Sequence, residues 1–162
     1  MNKEETCEVL RRAGVAFELT EHPAVFNMAE LAAVPLPYPE AVAKNLFVCD
    51  DKKRSYHLIT VAGDKRVDLK AFRRAHGLRA LSLAPEAELT ALLGLTAGSV
   101  TPLGLLNDRA HRVTFWLDEA FLAGAGRIGV HPNDNTATVW LRAADLLELL
   151  RAHGCEVHLT AL

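Results

Sequence analysis

The sequence predicts an α+β protein in which helices flank a mixed, largely antiparallel β-sheet or partial barrel. Apolar runs with strand periodicity alternate along the chain with capped amphipathic segments, and the connections between them are short. The polar segment Asp50–Lys53 also separates two apolar runs closely enough to form a hairpin. Hairpin-linked strands mixed with helices favour this class over a doubly wound parallel sheet, whose strands are joined by helical crossovers.

The first half of the chain opens with an amphipathic helix that Gly14 ends. Asn27, followed three residues later by Glu30, forms a capping-box pattern that begins a short helix. Three prolines between residues 35 and 39 then force an extended loop. The elements expected here are a helix over 3–13, a strand over 16–21, a helix over 28–33, and strands over 45–49 and 55–62.

Glycines and a proline mark the helix ends in the second half. Gly77 follows a basic helix, Pro85 and Gly94 bracket the next helix, and Gly154 ends the last. The elements expected here are a helix over 68–75, a strand over 79–83, a helix over 86–93, strands over 112–117, 127–130 and 137–141, a helix over 144–153, and a final strand over 155–159.

Length and composition favour a single ordered domain over residues 1–162. Half of the residues are hydrophobic and 23% are charged, which argues against intrinsic disorder. Met1–Glu5 contains no apolar signal core, and no apolar run is long enough to span a bilayer. We therefore expect a cytoplasmic protein with no membrane partner.

Cys7, Cys49 and Cys155 are too far apart in sequence for a CxxC motif, so they are predicted to be small buried hydrophobic residues. A catalytic Cys49 paired with a histidine is a less favoured alternative. Neither a helix N-terminus nor a glycine elbow lies beside Cys49 to lower the pKa of its thiol.

The charge is distributed unevenly along the chain. Residues 52–79 carry nine basic and two acidic side chains, whereas the whole protein has a net charge of −2. Such asymmetry indicates an anionic partner, although a solvated basic face would give the same pattern.

Three irregular segments carry residues suited to chemistry. Lys44 precedes an apolar run, which places a cation at a strand end where it could meet a phosphate or a developing oxyanion. The segment Gly98–Pro102 has a glycine and a proline that favour a tight turn with backbone amides available to a ligand. His131 ends another strand and is followed by a turn. Taken singly, each also fits a structural role: a solvated lysine, an ordinary loop and a hydrogen-bonded histidine.

Other catalytic classes lack their motifs. The seven histidines form no HExxH or i,i+4 ligand pair, so no metal site is predicted. No serine lies in a GxSxG elbow. The sequence therefore offers no evident protein nucleophile, and we expect no cofactor.

Together, Lys44–Val48, Gly98–Pro102 and His131–Thr136 resemble, in this order, the YbaK-type aminoacyl-tRNA editing family. The likeness runs from about His22–Phe26 to the C-terminal helix. Within the family, the chain looks most similar to free-standing deacylases that remove alanine from proline tRNA.

The resemblance implies a function and a site. It implies trans-editing hydrolysis of Ala-tRNA(Pro), with the terminal ribose 2′-hydroxyl assisting water, and aminoacyl-tRNA as the partner; whether prolyl-tRNA synthetase is a second partner stays open. Lys44 inherits the catalytic role, and His131 is placed beside the substrate as a positioning residue. The substrate-binding residues expected are Asn45, Gly98, Ser99, Val100, Thr101, Pro102, His131 and Asn133.

The basic segment is then interpreted as the tRNA-binding surface. The cations expected to contact tRNA phosphates are Lys52, Lys53, Arg54, Lys70, Arg73 and Arg74. Two alternatives remain: a deacylase for Cys-tRNA(Pro) or another aminoacyl-tRNA, and a tRNA-binding or regulatory module without turnover. The retained Lys44 argues against the second.

Overall fold

Helices and strands alternate as the sequence predicts, and the structure, a computed structural model, describes all 162 residues. The helices are α1 (Lys3–Arg12), α2 (Met28–Ala32), α3 (Leu69–His76), α4 (Glu86–Leu93) and α5 (Ala143–His153). The strands are β1 (Phe17–Glu21), β2 (Ala43–Asp50), β3 (Tyr56–Ala62), β4 (Leu81–Leu83), β5 (Val113–Asp118), β6 (Arg127–Val130), β7 (Ala137–Arg142) and β8 (Val157–Thr160).

The strands form two sheets. The five-stranded sheet has the order β4-β2-β3-β5-β8, and the three-stranded sheet has the order β1-β7-β6. The predicted hairpin is confirmed, since β2 and β3 pair antiparallel from Ala43–Ala62 to Cys49–Tyr56. The β3–β5 and β5–β8 pairs are parallel, so the sheet is mixed. A parallel bridge between Val42 and Gly129 joins the two sheets without closing a barrel, and the α+β prediction is confirmed.

Local capping explains why the helices begin and end where they do. The Asn27 side chain accepts a hydrogen bond from the Glu30 amide at the start of α2, as predicted. Gly77, Gly94 and Gly154 end α3, α4 and α5 in the left-handed conformation that glycine adopts without strain. None of the helices has the length and apolar character needed to cross a membrane.

Two strands begin two residues later than predicted. Strand β4 begins at Leu81 because Leu81 pairs with Asp50, the last residue of the antiparallel strand β2. Strand β8 begins at Val157 because the Cys155 amide still donates to Leu150 O, which closes the end of α5.

The core divides between the two faces of the β2–β3 hairpin. On one face, Phe47, Leu58 and Phe115 belong to the main hydrophobic cluster. On the other face, Val48 and Ile59 pack with residues of α3 and β5. Near the start of β2, a separate cluster joins Val42 and Trp140 to the segment that contains α2: Val25, Leu31 and Ala41 complete it. Because side chains alternate along a strand, Lys44 shares its face with Val42 and Val48.

All three cysteines are buried, as the sequence predicts. Burial raises the pKa of the Cys7 and Cys49 thiols and raises the pKa of Cys155 to about 11. A thiol held in its protonated form is a poor nucleophile, so the structure does not favour the catalytic Cys49 alternative.

Candidate active site

The bridge between the two sheets brings Lys44 and His131 to one face. Val42 and Gly129 pair in a parallel bridge, and Lys44 and His131 each follow their bridge residue by two positions. Paired residues point to the same side of a sheet, and so do residues two apart on a strand. The side chains of Lys44 and His131 therefore project from the same face, although no hydrogen bond joins them.

Asn45 points to the opposite face from Lys44. Its side-chain oxygen accepts a hydrogen bond of 2.6 Å from the hydroxyl of buried Thr60. The two neighbours in the Lys44–Asn45 motif thus have separate surroundings, and only Lys44 shares the face of His131.

The ammonium of half-buried Lys44 has no carboxylate partner. Its Nζ donates one long hydrogen bond, 3.4 Å, to the backbone oxygen of Lys65. Lys65 itself is neutralised by buried Asp118, with Nζ and Oδ2 2.6 Å apart. The charge of Lys44 is therefore free to act on an anionic group.

His131 is held in one tautomer. Its Nδ1 donates a hydrogen bond of 2.8 Å to the backbone oxygen of Ala137, which leaves Nε2 as a lone-pair acceptor. Nε2 makes no hydrogen bond within the chain. Burial lowers the pKa of His131 from the usual 6.5, the neighbouring His22 ring acts in the same direction, and the bond to Ala137 partly opposes them. The neutral ring can thus accept a proton or orient a hydroxyl.

The Gly98–Pro102 segment is joined directly to His131. The buried hydroxyl of Thr101 donates a hydrogen bond of 2.6 Å to His131 O and accepts one from the Leu103 amide. The Ser99 hydroxyl is engaged with Thr96 inside the loop, and Pro102 is buried. Val100 is half-buried. The polar side chains of this loop therefore shape it and attach it to the β6 end.

Gly98 lies in close contact with a side chain distant in sequence. Its backbone is not in the left-handed region, so conformational freedom is not the reason for glycine. A Cβ at this position would lie 2.9 Å from Phe26 Cδ1 and 3.4 Å from Asn135 Nδ2. The Gly98 backbone thus lies directly against the aromatic ring of Phe26.

Asn133 attaches the turn after His131 to the first helix. Its Nδ2 donates a hydrogen bond of 2.8 Å to the hydroxyl of buried Thr6 on α1. Its backbone is left-handed, with φ of 61°, a conformation that asparagine tolerates better than most residues. These contacts give Asn133 a structural task in addition to any contact with substrate.

A cavity of about 460 Å³ lies near the start of the strand that carries Lys44. It opens between α2 and the start of β2 and is lined by apolar side chains that include Met28, Leu31 and Val42. Gly63 also lines this cavity. It lies two residues before Lys65, whose backbone oxygen accepts the hydrogen bond from the Lys44 ammonium. A larger hollow, about 660 Å³, lies against α1 and β1, and neither cavity is lined by a residue of the three motifs.

Comparison with known proteins identifies the family. The sequence model of the aminoacyl-tRNA editing domain matches residues 22–149. The chain belongs to the aminoacyl-tRNA editing family. It is therefore an editing enzyme, a hydrolase that removes an amino acid from tRNA.

Curated relatives agree with this assignment, and a solved structure shares the fold. The chain is 36% identical over 140 residues to the prolyl-tRNA editing protein ProX of Acetoanaerobium sticklandii, covering 86% of this chain and 85% of the relative. It is also 36% identical to the mouse prolyl-tRNA synthetase associated domain-containing protein 1, covering 85% and 82%. A solved protein described as a candidate trans-editing enzyme for prolyl tRNA synthetase has the same fold, with a TM-score of 0.70, 23% identity, and coverage of 97% and 95%.

The basic segment of the editing enzyme is less positive than its sequence suggests. Three of the nine cations are paired with carboxylates, in the pairs Lys53–Glu88, Lys65–Asp118 and Arg79–Asp51. The six cations without a salt bridge are Lys52, Arg54, Arg66, Lys70, Arg73 and Arg74. They lie at the β2–β3 turn and on or just before α3, and all except the half-buried Arg73 are exposed.

Two features of the site were not assigned from sequence. Phe26 lies within His22–Phe26, where the family likeness begins, but nothing local indicated that its ring covers Gly98. The Lys65–Asp118 pair joins residues 53 apart in sequence, so no spacing pattern could have revealed it.

The environment of His131 predicts the pH dependence of the editing reaction. Because burial lowers its pKa, the ring stays neutral above 6.5 and for some distance below it. We expect the single-turnover rate, corrected for spontaneous ester hydrolysis, to be flat above pH 7 and to fall on acidification only below pH 6.5. His131→Gln should remove this acidic limb, and a limb that persists unchanged in the variant would show that another group titrates.

Proposed function

We propose that this protein is a free-standing deacylase that hydrolyses Ala-tRNA(Pro) in trans, with residues 1–162 acting as one cytoplasmic editing domain. The observation that carries the proposal is the projection of an uncompensated lysine and a neutral histidine from one face. Lys44 has no carboxylate partner, and His131 presents a bare Nε2 beside the strand that carries Lys44.

This pair suits ester hydrolysis without a protein nucleophile. The ammonium of Lys44 stabilises the oxyanion that forms when water attacks the ester carbonyl. Nε2 of His131 orients the attacking water or the terminal ribose 2′-hydroxyl by accepting a hydrogen bond. The buried cysteines keep their protons and take no part.

The prolyl system supplies a reason for such an enzyme. A synthetase site sized for proline gains only about 1 to 3 kcal/mol of discrimination per missing methylene, so it charges the smaller alanine at times. A second, smaller site can hydrolyse that product and exclude the correct one. The likeness to the prolyl-tRNA editing protein of Acetoanaerobium sticklandii supports proline tRNA as the nucleic-acid part of the substrate.

The decisive experiment is deacylation of proline tRNA charged with alanine, cysteine, serine or proline by the purified protein. We expect rapid loss of the alanyl ester and no loss of the prolyl ester above the spontaneous rate. If the cysteinyl ester were hydrolysed in preference, cysteine would replace alanine as the amino acid that the enzyme removes. If none of the esters were hydrolysed, the assignment as a deacylase of proline tRNA would be overturned.

The unpaired cations on α3 should bind tRNA phosphates. Arg73 and Arg74 lie on α3 and form no salt bridge within the chain. Changing both to alanine should weaken tRNA binding and flatten the slope of log affinity against log salt by about 0.7 to 0.9 per lost contact. The rate at saturating tRNA should be retained, since these side chains would hold the acceptor stem.

The control is Arg11→Ala combined with Arg12→Ala. This variant removes the same charge from α1, where both arginines pair with Glu8. It should leave the salt slope unchanged. Equal slopes in the α3 variant and in the unmodified protein would identify the α3 cations as a solvated face.

A further inference from the structure

We propose that Phe26 is the stacking platform for the terminal nucleobase of the tRNA, the adenine attached to the ribose that bears the amino acid. This deepens the proposed function by assigning a nucleobase subsite to the same site. It depends on that function only in taking the 3′ end of tRNA to bind beside Lys44 and His131.

Phe26 is the most exposed large apolar side chain of the protein, at 67%. The other exposed large apolar residues are aliphatic, whereas Phe72, Phe115 and Trp140 are buried. Leaving an aromatic ring in water forgoes its burial free energy, and an exposed ring of this kind offers a face on which an unpaired base can stack. The ring is therefore available to a partner outside the chain.

The ring is placed where two candidate substrate segments meet. It lies against Gly98, where no Cβ could be accommodated without displacement. The residue before Phe26, Val25, is hydrogen-bonded to the turn after His131. The Val25 amide donates to Asn135 O, and Asn135 Nδ2 donates to Val25 O at 2.8 Å. Phe26 thus joins the Gly98–Pro102 segment to the turn that follows His131.

The backbone of Phe26 is held in place. Its amide donates a hydrogen bond of 2.7 Å to the carboxylate of Glu30, a residue of α2. The cap of the same helix fixes the following residue, Asn27, through the Glu30 amide. A ring attached to a restrained backbone loses little conformational freedom on binding, which favours it as a rigid contact surface.

A nucleobase is the partner that fits this arrangement. Proteins recognise unpaired nucleotides by stacking their bases on exposed aromatic rings, and the 3′ end of tRNA is single-stranded. The ester that the enzyme hydrolyses lies on the terminal ribose, so the terminal adenine is the base covalently nearest to Lys44 and His131. Phe26 adjoins Gly98 and follows Val25, which is hydrogen-bonded to the turn after His131, so the terminal adenine is the base that we place against its ring.

The test compares binding of two uncharged proline tRNAs, one complete and one lacking the terminal adenosine. The unmodified protein should bind the complete tRNA about 5- to 150-fold more tightly, the range expected for one stacked base. Phe26→Ala and Phe26→Leu should reduce this ratio to near one, because leucine restores apolar contact but not a planar face. Phe26→Trp should retain it.

Leu159→Ala serves as the matched control. It truncates another exposed apolar side chain, 41% exposed on β8 at the far edge of the five-stranded sheet, and should leave the ratio unchanged. If Phe26→Ala kept the ratio of the unmodified protein, or if that protein bound both tRNAs equally, the stacking proposal would be overturned. Both of these results are binding measurements and do not depend on deacylation. Failure of the proposed function would show itself in a different experiment, as Ala-tRNA(Pro) that stays intact after incubation with the unmodified enzyme.

Discussion

Lys44→Ala is expected to lower the single-turnover deacylation rate by about 100- to 1,000-fold, the usual cost of removing one oxyanion-stabilising donor. The ammonium forms no salt bridge and makes one long hydrogen bond to Lys65 O, so its charge is available to the reacting carbonyl. The same weak attachment predicts a small effect on folding, with the free energy of unfolding changed by less than about 1 kcal/mol. Circular dichroism, urea unfolding and single-turnover deacylation on the same sample measure both effects.

Arg151→Ala is the charge-matched control for this variant. It removes one positive charge from an exposed position on α5 and should leave the rate unchanged. Lys44→Arg adds a second comparison, since it keeps the charge but alters the position and geometry of the donor. A folded Lys44→Ala protein with a rate near that of the unmodified enzyme would remove Lys44 from the catalytic role.

Gly98→Val should abolish most activity by separating the two segments that meet at Phe26. The new Cβ would lie 2.9 Å from Phe26 Cδ1, so the Phe26 ring would have to shift, whereas the 3.5 Å separation from Phe26 Cα is an ordinary contact. Overpacking of this kind costs about 1 to 3 kcal/mol of folding stability. We expect at least a tenfold loss of alanyl-ester hydrolysis together with a lowered unfolding midpoint.

Ala97→Val is the neighbouring control for Gly98→Val. It places the same final side chain one residue earlier, at an exposed position of the same turn, and should be nearly neutral. Combining Gly98→Ala with Phe26→Ala should recover stability lost in Gly98→Ala alone, because the clashing ring atom is then absent. Unchanged hydrolysis by a folded Gly98→Val protein would contradict the placement of this loop beside the ester.

The elements of the fold were predictable because their signals are local. The Asn27 cap, the glycine ends at Gly77, Gly94 and Gly154, and the polar turn after β2 each act over a few residues. Hairpin pairing of β2 with β3 follows from the same short range. The parallel pairing of β3 with β5 and of β5 with β8 joins distant segments, and no local pattern encodes it.

By itself, the sequence determined the family likeness, through three short motifs whose order can be read without coordinates. It also determined which residues carry charge and where helices and strands lie. Only the tertiary structure decided how these residues act together. The Val42–Gly129 bridge turns Lys44 and His131 to one face and sends Asn45 to the other. Ion pairing with distant carboxylates removes Lys53, Lys65 and Arg79 from the set of free cations. The contact of Phe26 with Gly98 joins residues 72 positions apart in sequence. Side-chain direction, charge neutralisation and burial depend on through-space neighbours, which the linear order of residues does not specify.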